Sequence, residues 1–159
     1  MKTKALLALV FPVLLFLTAC DFTAPLTEKP TRDVDPALFG SWFSITNGEP
    51  LEIYRLSATE YLAVIDKDSP FVCTHSDMAG VAFISCRVIG QDAKEYGKYA
   101  YRAYKLDGDQ LSIFRLSESL VDVKDLSAAE RRARIEAAAK AGTALDTTDK
   151  NILRYKRKA

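Results

Sequence analysis

The sequence is poor in the residues from which most catalytic and metal sites are built. It contains one histidine, His75, and three cysteines among 159 residues. It has no glycine-rich phosphate loop and no His-Glu-x-x-His pair, and its acidic residues are scattered without a pair suited to glycoside hydrolysis. The sequence therefore predicts a protein that is not an enzyme and that holds no cofactor and no metal.

One arrangement around the histidine has the elements of a catalytic site. Cys73 precedes His75 by two residues and Asp77 follows it by two, so the three side chains share one face of a strand. A cysteine activated by a histidine is a known type of nucleophile. The trio lies within one predicted hairpin and lacks the signature of a known nucleophile, so we expect no catalysis there.

The chain also has little net charge and no apolar run long enough to span a membrane. Its 22 basic and 21 acidic residues give a formal net charge of +1, which argues against a nucleic-acid-binding protein. The apolar run at residues 5–17 falls short of the roughly 20 residues that a membrane-spanning helix needs. Because Lys2 and Lys4 precede it, the run is typical of a secretory signal peptide.

The apolar run ends in Leu-Thr-Ala-Cys at residues 17–20, which resembles the lipobox of bacterial lipoproteins. The resemblance implies cleavage after Ala19, a diacylglycerol on the sulfur of Cys20, and usually an acyl chain on the new amino group. Two or more chains hold a protein stably on a membrane without spanning it. An ordinary secretory signal, or an uncleaved helix with a free cysteine, is the alternative.

Asp21 directly follows the cysteine. In enterobacterial lipoproteins an aspartate there resembles the signal that avoids outer-membrane sorting, which favours the periplasmic side of the inner membrane. Residues 20–36 combine proline, threonine and charge without an apolar period, which is typical of a flexible tether. We expect residues 1–19 to be a signal peptide, residues 20–36 the acylated cysteine and tether, and residues 37–159 a single domain.

Two cysteines, Cys73 and Cys86, remain if Cys20 is acylated. An even pair in an oxidising compartment favours a disulfide. Two buried thiols that never meet are the alternative, since sequence does not show geometry. A zinc site is disfavoured because the usual paired ligand spacings are missing.

From residue 39 onward, short β-type runs alternate with turn residues, and Asn47-Gly48 and Asp107-Gly108 are hairpin signals. The predicted strands are residues 40–45, 51–56, 61–65, 71–75, 81–89, 96–106, 111–116 and 151–156. Such regular spacing is typical of an antiparallel meander that closes into a barrel or sandwich. The fold class predicted is mainly β, with about eight strands and one helix before the last.

That helix is predicted at about residues 127–141. Ser127 and Glu130 form a capping box, and Gly142 stands where a helix ends. Its apolar face is thin and centres on Ile135, so we expect it to pack over a barrel opening or a sheet edge. A basic helix lying on anionic lipid is the alternative.

Gly40-x-Trp42 at the first strand resembles the start of lipocalin and wider calycin barrels. There the tryptophan plugs the closed end and a basic residue from the last strand stacks across it. The resemblance implies a Trp42–Arg154 pair here, the alternative being an ordinary core tryptophan. The helix departs from the lipocalin pattern, in which it follows the last strand. Small bacterial lipoproteins of this layout are similar too, and they imply no activity.

One seven-residue pattern occurs twice. Residues 51–57 recur as residues 111–117 with five positions identical, and Arg55 and Arg115 share a face with the leucine and isoleucine before them. If that face is interior, the two guanidinium groups would clamp the acidic head of an amphipathic ligand. The favoured alternative is that both arginines reach water at the surface.

Three functional hypotheses remain. The first is a membrane-anchored periplasmic binding or accessory module that contacts an envelope protein. The second is a lipocalin-like carrier of a small amphipathic ligand, which requires an open interior. The third is an inhibitor of a cell-wall hydrolase, suggested by size, compartment and the expected disulfide.

Overall fold

Eight antiparallel strands form a closed barrel, in which each strand pairs with the next and the last pairs with the first. The structure is a computed structural model that describes residues 22–65, 70–90, 96–121 and 126–158. The strands are β1 (Gly40–Ser44), β2 (Pro50–Arg55), β3 (Glu60–Val64), β4 (Pro70–Met78), β5 (Val81–Val88), β6 (Tyr99–Asp107), β7 (Gln110–Arg115) and β8 (Leu153–Arg157). Helices α1 (Glu118–Val121) and α2 (Ala128–Lys140) lie between β7 and β8. The predicted fold class is confirmed.

Turn chemistry sets most strand ends. The two predicted turns contain Gly48 and Gly108 with positive φ angles of 74° and 59°. Gly108 begins a two-residue turn between the paired residues Asp107 and Gln110, whereas Gly48 ends a four-residue loop between Ser44 and Glu49.

The turn after β4 is shorter than the predicted break at residues 76–80. Ala79 and Gly80 both have positive φ, 50° and 78°, so β4 runs on to Met78 instead of ending at residue 75. Alanine is uncommon in that conformation, so the sequence pattern does not place the turn at these two residues.

Apolar side chains fill the barrel interior. Along β2, Leu51 and Ile53 are buried and point inward, whereas Tyr54 between Ile53 and Arg55 is exposed. The same alternation on the other strands produces one interior cluster that includes Trp42, Tyr61, Phe71, Cys73, Ile84, Val88, Ala100, Leu111, Ile113 and Tyr155.

Residues 22–35 pack on the barrel, which corrects the prediction of a flexible tether there. Phe22 and Leu26 join a cluster on the outer wall, and Val34 joins the interior cluster. Phe22 and Leu26 are each 3% exposed. The backbone of Phe22 bonds with Tyr99 of β6 in both directions, at 3.4 Å from Phe22 N and 2.7 Å from Tyr99 N. The apolar surface buried by these side chains offsets the conformational entropy lost on ordering the segment.

Helix α2 packs on the outside of the barrel and not over an opening. Its buried residues, Ile135 and Ala139, join an outer cluster with Phe22 and with Phe83 of β5 and Tyr101 of β6. The predicted capping box is present at its start. Because Tyr101 and Ala103 lie on the outer face of β6, the wall needs a cover on that side, and α2 and the N-terminal segment supply it. In the part of the chain described, no helix is long and apolar enough to cross a membrane.

Candidate functional site

Trp42 plugs the end of the barrel at which β1 begins. Its side chain is fully buried, and its Nε1 donates a hydrogen bond to Leu38 O at 2.9 Å. Arg157 lies over the indole with its Cζ 4.2 Å from the ring centroid. Arg157 also donates to Phe39 O at 2.8 Å and to Ala37 O. The guanidinium of Arg157 therefore joins the last strand to the segment that precedes the first strand.

Arg157 replaces Arg154 as the partner of Trp42. In β8 the buried Tyr155 points inward, so Arg157, two residues on, shares its face, whereas Arg154 points outward. Arg154 instead donates Nη2 to Asp149 Oδ1 at 2.6 Å on the surface. The stacking of a basic residue of the last strand on Trp42 was predicted correctly. The residue was wrong, because Arg154 lies on the outer face of β8 and Arg157 on the inner face.

The two arginines differ sharply in their expected contribution to stability. Arg157→Gln should lower the free energy of unfolding by about 2 kcal/mol, because it removes a cation–π contact and two charged hydrogen bonds. Arg154→Gln, the matched control, should cost less than about 0.5 kcal/mol, since it breaks only an exposed ion pair. Urea unfolding of both variants measures the difference, and equal losses would contradict the assigned pair.

The predicted disulfide between Cys73 and Cys86 is present. The two residues are direct partners on β4 and β5, with Cα atoms 4.1 Å apart, and Cys73 is fully buried in the interior. A bridged Cys73 has no thiolate to offer, so the trio with His75 and Asp77 cannot act as a cysteine nucleophile.

The barrel interior holds one small cavity of about 50 Å³. A water molecule needs roughly 10–15 Å³ on this measure, whereas pockets for organic ligands usually measure about 300–1,000 Å³. The cavity is lined by apolar side chains and by Arg102, which is 4% exposed and whose Nη1 donates to Tyr101 O at 2.8 Å. Arg102 is a functional candidate that sequence reasoning missed, because both faces of β6 are buried and periodicity did not show which is interior.

Arg55 and Arg115 do not converge. β2 and β7 run in opposite directions along the barrel. Arg55 and Arg115 are the last residues of these strands, so they lie at opposite ends of the barrel. Arg55 is exposed, and its Nε donates to Ser57 O at 3.2 Å. Arg115 is half-buried, and its carbonyl accepts from Asp146 N at 3.0 Å. The predicted clamp of two guanidinium groups is therefore not formed. Arg55 instead reaches the surface, as the alternative interpretation predicted.

His75 faces the interior between two tyrosines. Its ring centroid lies 5.2 Å from that of Tyr61 and 5.1 Å from that of Tyr104. The imidazole is fully buried, and neither ring nitrogen has a hydrogen-bond partner among the described residues. Burial is the main cause that lowers the pKa of His75 to about 4, and the positive charge of Arg32 adds to it. His75 is therefore a neutral core group at physiological pH.

The outer wall opposite α2 carries an apolar surface that is partly exposed. Tyr54, Leu62 and Val72 are neighbours in one row across β2, β3 and β4, and Val64 shares their face. Tyr54 is 52% exposed and the other three are half-buried. We call these four residues the β2–β4 patch. It adjoins an open groove of about 240 Å³ beneath residues 25–30.

Cys20 and Asp21, the predicted acylation and sorting residues, lie outside the described part of the chain, so both remain predictions. Within that part, no group of three or more histidine, cysteine or acidic side chains is placed to hold a metal ion.

The closed eight-stranded antiparallel barrel is consistent with the lipocalin-like architecture, with its main helix before the last strand. No protein-family model, no curated protein and no solved structure matches the chain.

Proposed function

We propose that this protein is a lipoprotein anchored through Cys20 on the periplasmic side of the inner membrane, where its barrel acts as a non-catalytic binding or accessory module. The observation that carries the binding role is the β2–β4 patch. Contiguous apolar side chains on a water-facing sheet, with an aromatic residue among them, are typical of surfaces that bind another protein. The anchor rests on the lipobox resemblance, and the disulfide suits an oxidising compartment.

The small interior cavity favours this role over that of a carrier. A cavity of about 50 Å³ would have to grow several-fold to enclose an amphipathic molecule. Hydrolase inhibition remains a specific form of the binding role, in which the partner is the enzyme, and an assay of lysozyme inhibition tests it.

Cys20→Ser tests the anchor. The variant should leave the membrane fraction entirely and appear as soluble periplasmic protein or as precursor, because serine has no sulfur to acylate. Asp21→Ser is the matched control: it should stay membrane-bound and move from the inner to the outer membrane. Density-gradient fractionation separates these outcomes. A Cys20→Ser variant that fractionates like the protein with Cys20 intact would exclude lipid anchoring.

A photo-reactive amino acid at position 54 tests the binding surface in intact cells. We expect one discrete cross-linked partner protein, because the probe lies within the patch proposed as the contact surface. The same probe at exposed Lys105 on β6 is the control and should give none. Leu62→Glu should abolish the adduct by placing a charge in the patch. Equal labelling from both positions would argue against a binding role for the patch.

A further inference from the structure

The attachment of Phe22 to the barrel limits how far the domain can stand from its anchor. The Phe22 ring stacks on Tyr101 with the centroids 4.1 Å apart, and the Tyr101 hydroxyl donates to Ala24 O at 2.6 Å. Only one residue separates Cys20 from Phe22 in the sequence, which allows at most about 7 Å between their Cα atoms. A free chain through residue 36 would instead reach on the order of 50 Å at 3.1 Å per residue.

Cations surround this point of attachment. The guanidinium of Arg131 on α2 lies over the Phe22 ring, with its Cζ 4.6 Å from the centroid. Arg87 is exposed and is the cross-strand partner of Tyr99, which bonds to Phe22. Lys98 precedes Tyr99 in the chain. Tyr96, 61% exposed, is the most exposed large aromatic side chain of the described residues. We call Arg87, Tyr96, Lys98 and Arg131 the anchor-side surface.

We infer that the anchor-side surface lies directly on the bilayer, with the exposed Arg87 among the headgroups of anionic phospholipids and Tyr96 in the interface. Lys98 and Arg131 are half-buried and add positive charge beside them, and Arg131 Nη2 also donates to Leu126 O at 3.3 Å. The inference rests on the proposed acylation of Cys20. Basic residues gain from the negative potential of anionic lipid, and tyrosine favours the interfacial zone. β2 stands four strands from β6 in the ring of eight, so Tyr54 then faces away from the membrane, whereas Val72 at the other end of the β2–β4 patch is the cross-strand partner of Arg87 and lies near the lipid.

Tyr96 and Tyr54 make a matched pair for a footprinting test, because they are 61% and 52% exposed, and Tyr96 precedes β6 whereas Tyr54 lies on β2, four strands away. A chain starting at Cys20 keeps every strand and both apolar clusters, and a maleimide phospholipid can be coupled to its one free thiol. On vesicles of phosphatidylcholine and phosphatidylglycerol, hydroxyl-radical modification of Tyr96 should fall several-fold, with that of Tyr54 unchanged. Equal modification of the two tyrosines, or protection of Tyr54 alone, would overturn the inference.

Charge reversal tests the lipid chemistry. Arg87→Glu should weaken partition of the uncoupled chain onto phosphatidylglycerol vesicles on the order of tenfold, since each basic residue contributes roughly fivefold near an anionic surface. Arg55→Glu makes the same change of net charge on the β2 side and should leave partition nearly unaltered. Equal losses from the two variants, or no loss from Arg87→Glu, would refute a specific anchor-side surface.

The two proposals fail separately. If the lipid-coupled chain shows protection of Tyr96 while the native protein proves not to be acylated, the surface stands and the proposed anchor falls. If the native protein is acylated and its tyrosines are modified equally on vesicles, the anchor stands and the surface falls.

Discussion

Replacing Trp42 with alanine is expected to lower the free energy of unfolding by about 4 kcal/mol, the usual range for a large aromatic side chain removed from a core. Trp42 is fully buried and is the cross-strand partner of both Leu51 on β2 and Arg157 on β8. Its loss therefore opens a cavity at the strand where the barrel closes, and it leaves the guanidinium of Arg157 without the ring beneath it.

Phe43→Ala is the matched control on the same strand. Phe43 points outward and is 37% exposed, so we expect its loss to cost less than about 1 kcal/mol. Urea unfolding followed by circular dichroism measures both. Combining Trp42→Ala with Arg157→Gln should cost less than the sum of the single losses, because the two residues share one contact. Strict additivity, or a Phe43→Ala loss as large as that of Trp42→Ala, would contradict this account of barrel closure.

Acidification is expected to destabilise the fold by about 3 kcal/mol through His75 alone. The pKa of His75 is about 4 in the folded protein, against 6.5 as its ordinary value. Between these values the unfolded chain takes up a proton that the folded chain does not, so stability is full above about pH 6.5 and falls as the pH drops toward 4. A difference of 2.5 units at about 1.4 kcal/mol per unit gives the magnitude.

His75→Phe isolates this effect. Phenylalanine keeps an aromatic ring between Tyr61 and Tyr104 and has no proton to take up. The urea midpoint of the unmodified protein should fall between pH 7 and 5.5, whereas that of the variant should stay nearly constant. His75 is the only histidine, and ordinary carboxyl groups titrate mostly below that window. Parallel curves for the two proteins would show that the imidazole is accessible to protons in the folded state.

Strand count, hairpin positions and the main helix were predictable because each depends on local chemistry. Alternation such as that of Leu51 and Ile53 with Tyr54 reports a half-buried strand wherever the chain lies. Gly48 and Gly108 mark turns through their positive φ angles, and Ser127 with Glu130 marks a helix start. These signals act over a few residues and need no knowledge of the rest of the fold.

The N-terminal segment was not predictable, because its binding surface exists only after the barrel has formed. Phe22 and Leu26 follow neither a helical nor a strand periodicity, so the sequence pattern of their segment predicts a flexible tether. One clue lay in β6, where Tyr101 and Ala103 on one face lie opposite Ala100 and Tyr104, which share the other face with Arg102. A strand with aromatic or apolar residues on both faces needs a cover outside the barrel as well as a core within.

The errors at the arginines come from the strand geometry itself. Successive side chains of a strand point to opposite faces, so Arg154 and Arg157, three residues apart, lie on different faces of β8. Each strand runs antiparallel to the next one in the ring, so β2 and β7 have opposite directions. Arg55 and Arg115 therefore lie at opposite ends of the barrel despite their similar surroundings in sequence. A sequence repeat predicts a shared site only when the two strands also run the same way.

The closure of the ring limits how any other molecule can be recognised. Each of the eight strands pairs with two neighbours, and where β6 runs past the end of β7, Tyr99 already pairs with Phe22. Among the described residues, addition of an extended peptide to the sheet would therefore require a strand or the Phe22 segment to be displaced first. A partner must therefore be selected through side chains on the wall or at the two rims, and single substitutions there should alter specificity while the backbone scaffold stays as it is.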